Sequence, residues 1–181
     1  MPKHAGGYDL TCPVFFVGFM GAGKTSVSQY LATTLGLPSI DADEYLELIE
    51  DRAITDIFAD DGEDAFRTLE TTYLRELAAR SPRFIACGGG VVKRPENVEL
   101  MRQAGRVVYL QVSADEAAAR IPNTESRPLF KDPETARVTI AERIPLYQAA
   151  AHYTVDTVGR SIADVAAEVR AILLEDGILL H

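Results

Sequence analysis

An eight-residue stretch, Gly18-Phe19-Met20-Gly21-Ala22-Gly23-Lys24-Thr25, constrains this chain more than any other feature. It reads Gly, four residues, Gly, Lys and then Thr, it follows the apolar run Val14 to Val17, and it opens a segment with helical spacing. Glycines let such a loop wrap around an anion, while backbone N–H groups and the helix N-terminus point at it. The sequence therefore predicts a strand, a phosphate-binding loop and a helix in succession.

Two side chains of this loop have specific predicted roles. Lys24 is placed to reach the β- and γ-phosphates of a nucleotide, and the hydroxyl of Thr25 is placed to ligate Mg²⁺. A glycine-rich turn with only a structural role is the alternative interpretation. The nucleotide-binding residues predicted from the loop are Gly21, Ala22, Gly23, Lys24, Thr25 and Ser26.

Short apolar runs alternate with segments of helical periodicity along the rest of the chain. This alternation predicts a three-layer α/β fold in which helices cover both faces of a five-stranded parallel sheet. Ser113 with Glu116, and Ser161 with Asp164, have the spacing of helix N-terminal capping boxes. The predicted strands are Val14–Val17, Pro38–Ile40, Phe84–Cys87, Val107–Val112 and His152–Val155, and the helical segments are centred on residues 27–35, 66–77, 140–151 and 162–173.

The chain is predicted to form one domain over residues 1–181. No repeat or linker divides it, and with 47% hydrophobic and 25% charged residues its composition is that of a globular protein. We interpret the polar residues 1–13 as a flexible N-terminal extension. The proline-rich segment 121–133 is interpreted as a mobile lid, with a plain surface connection as the alternative.

The net charge of −9 argues against binding to nucleic acid or to an anionic membrane surface. No apolar stretch approaches the roughly 20 residues that a transmembrane helix needs. The two cysteines, Cys12 and Cys87, are too few for a disulfide scaffold and are expected to be reduced thiols in a cytoplasmic protein. No unusually apolar exposed helix face is visible, and we expect a monomer.

A second carboxylate-bearing segment follows the second predicted strand. The chain has no Asn-Lys-x-Asp base-reading motif of GTPases, and its third strand ends in Cys87-Gly88-Gly89-Gly90 rather than in an aspartate. Asp41 and Asp43 are therefore the candidates to support the metal, because ligands of open α/β sheets gather at the carboxyl ends of strands. The pair could equally cap the helix that follows.

Several further motifs accompany the phosphate-binding loop in a fixed order. They are Asp41-Ala42-Asp43, Phe66-Arg67-x-x-Glu70, Gly88-Gly89-Gly90, Arg127-Pro128-Leu129 and Glu142-Arg143-x-Pro145-Leu146-Tyr147. With this combination, residues 14–175 resemble the shikimate kinase family. The resemblance implies a P-loop kinase fold of the nucleoside monophosphate kinase type, with transfer of the ATP γ-phosphoryl, assisted by Mg²⁺, to the 3-hydroxyl of shikimate.

The resemblance also implies roles for the acceptor site. Asp43 would contact the shikimate hydroxyls, as an orienting group first and a base second, and Arg67 and Arg143 would bind the carboxylate, since guanidinium groups form directional bonds to carboxylates. Glu70 would orient Arg67, although the two could also form an ordinary surface ion pair. Gly88, Gly89 and Gly90 would let the substrate approach backbone N–H groups, with a tight turn as the alternative.

Three further arginines are assigned to the nucleotide through the resemblance. Arg127, in the predicted lid, would reach the transferring phosphate on closure, which makes it catalytic together with Lys24 and Asp43. Arg120 would lie over the adenine ring, with a solvated helix-end arginine as the alternative. Arg160 falls in the loop that contacts adenine in the family, but the surrounding sequence matches only loosely. Thr25 and Asp41 make up the predicted Mg²⁺ site.

Two other classes of protein compete with this interpretation. A gluconate kinase or nucleoside monophosphate kinase would share the loop and the lid, but the acidic pair, the three glycines and Arg67 are not expected together there. A non-catalytic relative would bind ligands only and would be expected to lack Lys24, the acidic pair or Arg127, all of which are present.

Overall fold

The computed structural model describes residues 7–120 and 133–181. Its main sheet has five parallel strands in the order β3-β4-β2-β5-β6. The predicted five-stranded parallel sheet is confirmed, and every predicted strand overlaps an observed one. The strands are β1 (Asp9–Leu10), β2 (Val14–Val17), β3 (Ser39–Asp41), β4 (Phe84–Ala86), β5 (Arg106–Gln111), β6 (Tyr153–Asp156) and β7 (Leu179–Leu180), of which β1 and β7 form a separate pair.

Helices flank the sheet and account for the segments of helical periodicity between the apolar runs. They are α1 (Lys24–Leu35), α2 (Ala42–Glu50), α3 (Ile54–Asp61), α4 (Glu63–Ala78), α5 (Pro95–Ala104), α6 (Ala114–Arg120), α7 (Pro133–Ala150) and α8 (Ile162–Glu175), and a 3₁₀ turn spans Val91–Lys93. Each of the four helical segments expected from the sequence corresponds to one of these helices. Helices α3 and α5 had no counterpart among the predictions.

The core lies on both sides of the central strand β2. All four residues of β2 are fully buried, because the strand is hydrogen-bonded on each edge and covered on each face. A continuous apolar run is what a strand in such a position requires. A smaller apolar cluster of Leu46, Ile57 and Phe66 holds α2, α3 and α4 together.

Side-chain caps begin three of the helices. Ser113 Oγ accepts a hydrogen bond from the backbone N–H of Glu116, and Ser161 Oγ accepts one from Asp164, each at 3.1 Å. These predicted N-caps are confirmed. Asp41 caps α2 in the same way, as the capping interpretation of the acidic pair allowed, and this helix begins at Ala42.

Part of the predicted N-terminal extension is held in place. Asp9–Leu10 pairs antiparallel with Leu179–Leu180, and Thr11 N–H donates to Ile178 O at 2.9 Å. This stretch of the predicted flexible extension, residues 1–13, therefore has backbone partners from the far end of the chain. Residues 1–6 lie outside the described residues, as do residues 121–132 of the predicted lid.

Within the described residues, none of the helices is both long enough and apolar enough to cross a bilayer.

Candidate active site

Three loops meet at one edge of the sheet because they follow three neighbouring parallel strands. The Gly18–Gly23 loop follows β2, the segment Asp41–Asp43 follows β3, and the turn Gly88–Gly90 follows β4. The carboxyl ends of parallel strands lie at the same edge, which is where ligands of open α/β sheets bind. The topology thus gathers most of the predicted site residues.

The phosphate-binding loop has the backbone that an anion site needs. Gly18 has φ +148°, and a Cβ there would lie 2.6 Å from the carbonyl oxygen of Leu110, so only glycine fits. Gly23 precedes α1 in a left-handed conformation, and no side chain of the described residues caps this helix N-terminus. The first N–H groups of α1 are therefore directed to whatever occupies the loop.

Lys24 folds back over the loop. Its Nζ donates to Gly18 O at 2.5 Å and approaches Phe19 O at 3.5 Å. Burial of the ammonium group lowers the pKa of Lys24 to about 8, and the Asp43 carboxylate opposes this shift. A cation held this way over a loop of N–H groups favours a highly charged anion such as a polyphosphate.

Thr25 and Asp41 form a pair of oxygen donors beside the loop. The Thr25 hydroxyl donates to Asp41 Oδ2 at 2.5 Å, while Asp41 Oδ1 accepts the N–H groups of Asp43 and Glu44 at 2.9 and 3.0 Å. Asp41 therefore caps α2 and faces the phosphate-binding loop at once. A hydroxyl and a carboxylate in contact, next to a groove of about 240 Å³, suit Mg²⁺, which takes few protein ligands and keeps several waters.

Asp43 and Glu70 face the turn after β4 from two different helices. A Cβ on Gly88 would lie 2.8 Å from Asp43 Oδ1 and 3.1 Å from Glu70 Oε2, which explains the glycine. Burial raises the pKa of both carboxyls, and each has a second carboxylate nearby that raises it further. Buried Glu70 Oε2 has no hydrogen-bond partner among the described residues. This part of the site is able to accept hydrogen bonds from a hydroxylated ligand.

Arg67 lies on α4 against the same turn. It is buried, with 8% of its side chain exposed, and its Nη1 bonds Glu70 Oε1 at 2.9 Å. The ion pair suggested by the sequence exists, but its burial excludes the interpretation as a surface pair. Arg67 Nε is 3.5 Å from Glu63 Oε1 and makes no hydrogen bond within the described chain. A Cβ on Gly90 would lie only 2.3 Å from Arg67 Nη2.

Arg143 reaches the turn from α7 on the other side. Its side chain is buried and lies over the ring of Phe19 in the phosphate-binding loop, 5.9 Å from the ring centroid. A Cβ built on Gly89 would lie 3.5 Å from Arg143 Nη1 and 3.7 Å from the Tyr147 hydroxyl. Two buried guanidinium groups and two carboxyls thus surround three glycines, beside the phosphate-binding loop.

Two buried polar residues to which the sequence assigned no role support this turn. Asn97 is fully buried on α5, donates to Val91 O at 3.0 Å and accepts from the hydroxyl of Thr71 at 2.8 Å. Tyr147, fully buried on α7, donates to Gly89 O at 2.6 Å. A polar side chain in an otherwise apolar helix face is the sequence signal for Asn97, and Tyr147 is the last residue of the Glu142-Arg143-x-Pro145-Leu146-Tyr147 motif.

The remaining predicted residues are Arg160, Ser26, Arg120 and Arg127. Arg160 lies in the loop after β6, where its Nη1 pairs with Glu168 at 2.5 Å. Ser26 is exposed in the first turn of α1. Arg120 ends α6, but its side chain falls outside what the structure describes, and Arg127 lies wholly outside the described residues.

The sequence and the fold were compared with known proteins. The family model described as shikimate kinase matches residues 20–173. A shikimate kinase of Dehalococcoides mccartyi is 38% identical over 164 residues, covering 90% of this chain and 93% of its own. A shikimate kinase of Acinetobacter baumannii is 37% identical, and the match covers 97% of this chain and 98% of that protein. The chain belongs to the shikimate kinase family.

Solved structures agree with this family assignment. The shikimate kinase of A. baumannii in complex with shikimate superposes with a TM-score of 0.86 at 36% identity, covering 92% of this chain and 95% of its own. A shikimate kinase of Aquifex aeolicus superposes with a TM-score of 0.81 at 27% identity, covering 92% of this chain and 98% of its own. A gluconokinase of Sinorhizobium meliloti superposes with a TM-score of 0.60 at 21% identity, covering 92% of this chain and 94% of its own. It shares the fold alone. As a shikimate kinase family member, the chain is a kinase that uses ATP with Mg²⁺.

Proposed function

We propose that this chain transfers the γ-phosphoryl group of ATP to the 3-hydroxyl of shikimate, giving shikimate 3-phosphate and ADP. One observation carries the proposal: Asp43, Arg67 and Arg143 surround the Gly88–Gly90 turn directly beside the phosphate-binding loop. Shikimate is a hydroxylated carboxylate, so its pocket needs fixed cations at one end and a hydroxyl acceptor at the other. Membership of the shikimate kinase family supports the same substrate.

The acceptor half of the site orients shikimate. Arg67 and Arg143 bind the carboxylate; the buried Arg67 Nε, which makes no hydrogen bond in the described chain, supports this role. Asp43 receives the hydroxyl end, and the N–H groups of Gly88, Gly89 and Gly90 line the approach. Because buried guanidinium groups act in a low dielectric and are already ordered, they fix one orientation of the ring.

The donor half positions the phosphates. Gly21, Ala22, Gly23, Ser26 and the N-terminus of α1 hold them, Lys24 moves from the Gly18 carbonyl to the phosphate oxygens, and Arg120 and Arg160 are assigned to the adenine side. Thr25 and Asp41 hold Mg²⁺, which when bound neutralises charge on the phosphate oxygens. Phosphoryl transfer has a loose transition state, so positioning contributes most and Asp43 acts first by orienting the hydroxyl.

The reaction is tested by ADP release from Mg·ATP with shikimate, quinate, gluconate, AMP or no acceptor at equal enzyme concentration. Release that depends on shikimate is the expected result. Release with gluconate or AMP instead would overturn the acceptor assignment while keeping the nucleotide chemistry. Binding of Mg·ATP without turnover on any acceptor would favour a binding protein.

Substitutions separate the two halves of the site. Lys24→Met and Arg127→Ala are expected to lower kcat by about 100-fold or more, because both cations act on the transferring phosphoryl group. Arg143→Ala is expected to raise the KM for shikimate by roughly 10-fold or more with a smaller effect on kcat. Steady-state kinetics with each substrate varied in turn provide the measurement. Wild-type kinetics in all three variants would contradict the residue assignments.

We also propose that the protein is a monomer in the cytoplasm and that residues 121–133 close over the bound nucleotide. The free thiols of Cys12 and Cys87 support a cytoplasmic location, which fractionation of cells tests. Sedimentation at micromolar protein concentration tests whether the protein is a monomer.

A further inference from the structure

Tyr147 lies beneath the acceptor pocket without forming part of the predicted site. It is fully buried on α7, one turn after Arg143, and its ring stacks on that of Tyr109 in β5 with 5.2 Å between centroids. Residues four apart on a helix share a face, so both side chains point toward the turn after β4. The stack fixes the plane of the Tyr147 ring and therefore the position of its hydroxyl.

The Tyr147 hydroxyl joins two elements of the pocket. It donates to Gly89 O at 2.6 Å, and the Arg143 guanidinium lies against the same glycine, so that its charge acts on the hydroxyl. Burial raises the pKa of Tyr147 to about 12, so the hydroxyl keeps its single proton at neutral pH and donates it to Gly89 O beside Arg143. A Cβ on Gly89 would be within 3.7 Å of both side chains.

Arg143 needs such a support. A long arginine side chain loses much conformational freedom when it is fixed, and Pro145, two residues after Arg143 in α7, has no N–H to donate to the carbonyl of Ala141. Binding groups work well only when other side chains hold their rotamers. The Tyr147 hydroxyl does this at the point where α7 meets the turn.

We propose that Tyr147 is a positioning residue of the acceptor pocket, whose hydroxyl holds Arg143 and the Gly88–Gly90 turn in the geometry that receives the substrate carboxylate. The inference rests on the proposed function, because it takes Arg143 as a carboxylate-binding residue. It predicts an effect on shikimate binding that comes from one hydroxyl group rather than from the aromatic ring.

The test uses Tyr147→Phe, which keeps the ring and its stack and removes only the hydroxyl. Its matched control is Tyr109→Phe, which removes the hydroxyl from the other ring of the same stack. For Tyr147→Phe we expect the KM for shikimate to rise about 5- to 10-fold, as for loss of one buried hydrogen bond. The KM for ATP and the kcat should stay within about 2-fold, and Tyr109→Phe should leave the KM for shikimate unchanged.

A double-mutant cycle with Arg143→Ala shows whether the hydroxyl acts through the arginine. If it does, Tyr147→Phe has little further effect on kcat/KM for shikimate in the Arg143→Ala background. Fully additive effects, an equal effect of Tyr109→Phe, or a neutral Tyr147→Phe beside an impaired Arg143→Ala would each overturn the role of Tyr147 and leave the proposed function intact. Wild-type protein without shikimate-dependent ADP release would overturn both.

Discussion

Ionisable side chains at the site are held in surroundings that disfavour their charged forms. Lys24, Asp43 and Glu70 all have pKa values shifted toward the neutral form, and burial is the largest cause in each case. Opposite charges within the cluster limit these shifts. A phosphate group or a hydroxylated acid that enters this region meets groups that are already partly dehydrated, so its charge interacts strongly with them.

The lysine should give the site a basic limit in its pH dependence. With a pKa of about 8 in the free protein, Lys24 loses its charge as the pH rises through that value, and affinity for ATP should fall. Calorimetric titration of ATP between about pH 7 and 9.5 measures this. In Lys24→Arg the guanidinium stays charged, so the decline should disappear even if affinity is lower overall. A flat wild-type profile would contradict the assignment.

Two glycines with crowded surroundings should respond differently to alanine. At Gly90 a Cβ would meet the movable end of Arg67, at 2.3 Å from Nη2, whereas at Gly105 it would meet the backbone oxygen of Pro13 at 2.0 Å. Gly90→Ala should displace Arg67 and raise the KM for shikimate by about 10-fold with little change in Tm. Gly105→Ala should cost roughly 1–3 kcal/mol of stability with the KM kept. Thermal melts measure the Tm of both variants, and kinetics measure their KM for shikimate. A lower Tm with an unchanged KM in Gly90→Ala, or a raised KM with an unchanged Tm in Gly105→Ala, would contradict this prediction.

At the scale of elements, a histidine completes the pairing of β5 with β6. The backbone N–H of His152 donates to Val107 O, and the N–H of Val107 donates back to the ring nitrogen Nδ1 of His152 at 2.9 Å. This bond requires the neutral ring. Burial lowers the pKa of His152, and the nearby Arg102 and Arg106 lower it further.

His152 should therefore make stability depend on pH. Because its pKa is lower in the folded state than the ordinary 6.5, its contribution is complete above about pH 6.5 and is lost as the pH falls from there through the folded-state pKa. Urea unfolding at several pH values gives the difference in the free energy of unfolding between the wild type and His152→Gln. That difference should shrink on acidification, and a constant difference from neutral to acid pH would argue against the role.

On the scale of the whole molecule, the two ends of the described chain are fastened together away from the site. β1 pairs with β7, Tyr8 contacts the ring of His181 edge-on, and Arg170 Nη2 donates to the Tyr8 hydroxyl at 2.6 Å. This clasp precedes the amino end of β2, whereas the phosphate-binding loop follows its carboxyl end. Stability and catalysis should therefore be separable here.

Deletion of residues 1–10 should lower Tm by about 5 °C, as expected for the loss of roughly 1–2 kcal/mol in a domain of this size. The kcat and both KM values should stay at the wild-type level, because the site keeps its supports. Tyr8→Phe, which loses only the hydrogen bond from Arg170 and keeps the ring beneath its guanidinium, serves as the mild control. A fall in kcat that exceeds the loss of folded protein would show that the clasp affects the site.

The sequence by itself determined the features that depend on neighbours along the chain. The phosphate-binding loop, the apolar strand before it and the caps at Ser113 and Ser161 could be predicted, because turn chemistry and periodicity act over a few residues. The parallel sheet covered by helices followed from the alternation of strands and helices, whereas the strand order came only from the structure. Gathering Asp43, Arg67 and Arg143 in one pocket required the resemblance to the family as well.

Only the tertiary structure decided which distant residues support that pocket. Tyr147 meets Gly89 across 58 positions, and Thr71 meets Asn97 across 26, so no local pattern could reveal either contact. Helix α3 escaped prediction because it spans only eight residues, so its apolar spacing of Ile54, Ile57 and Phe58 covers little more than one turn. The pairing of β1 with β7 depends on strands of two residues from opposite ends of the chain. Such contacts form only after the whole chain has folded, because their stability comes from burial shared by many elements and not from local propensity.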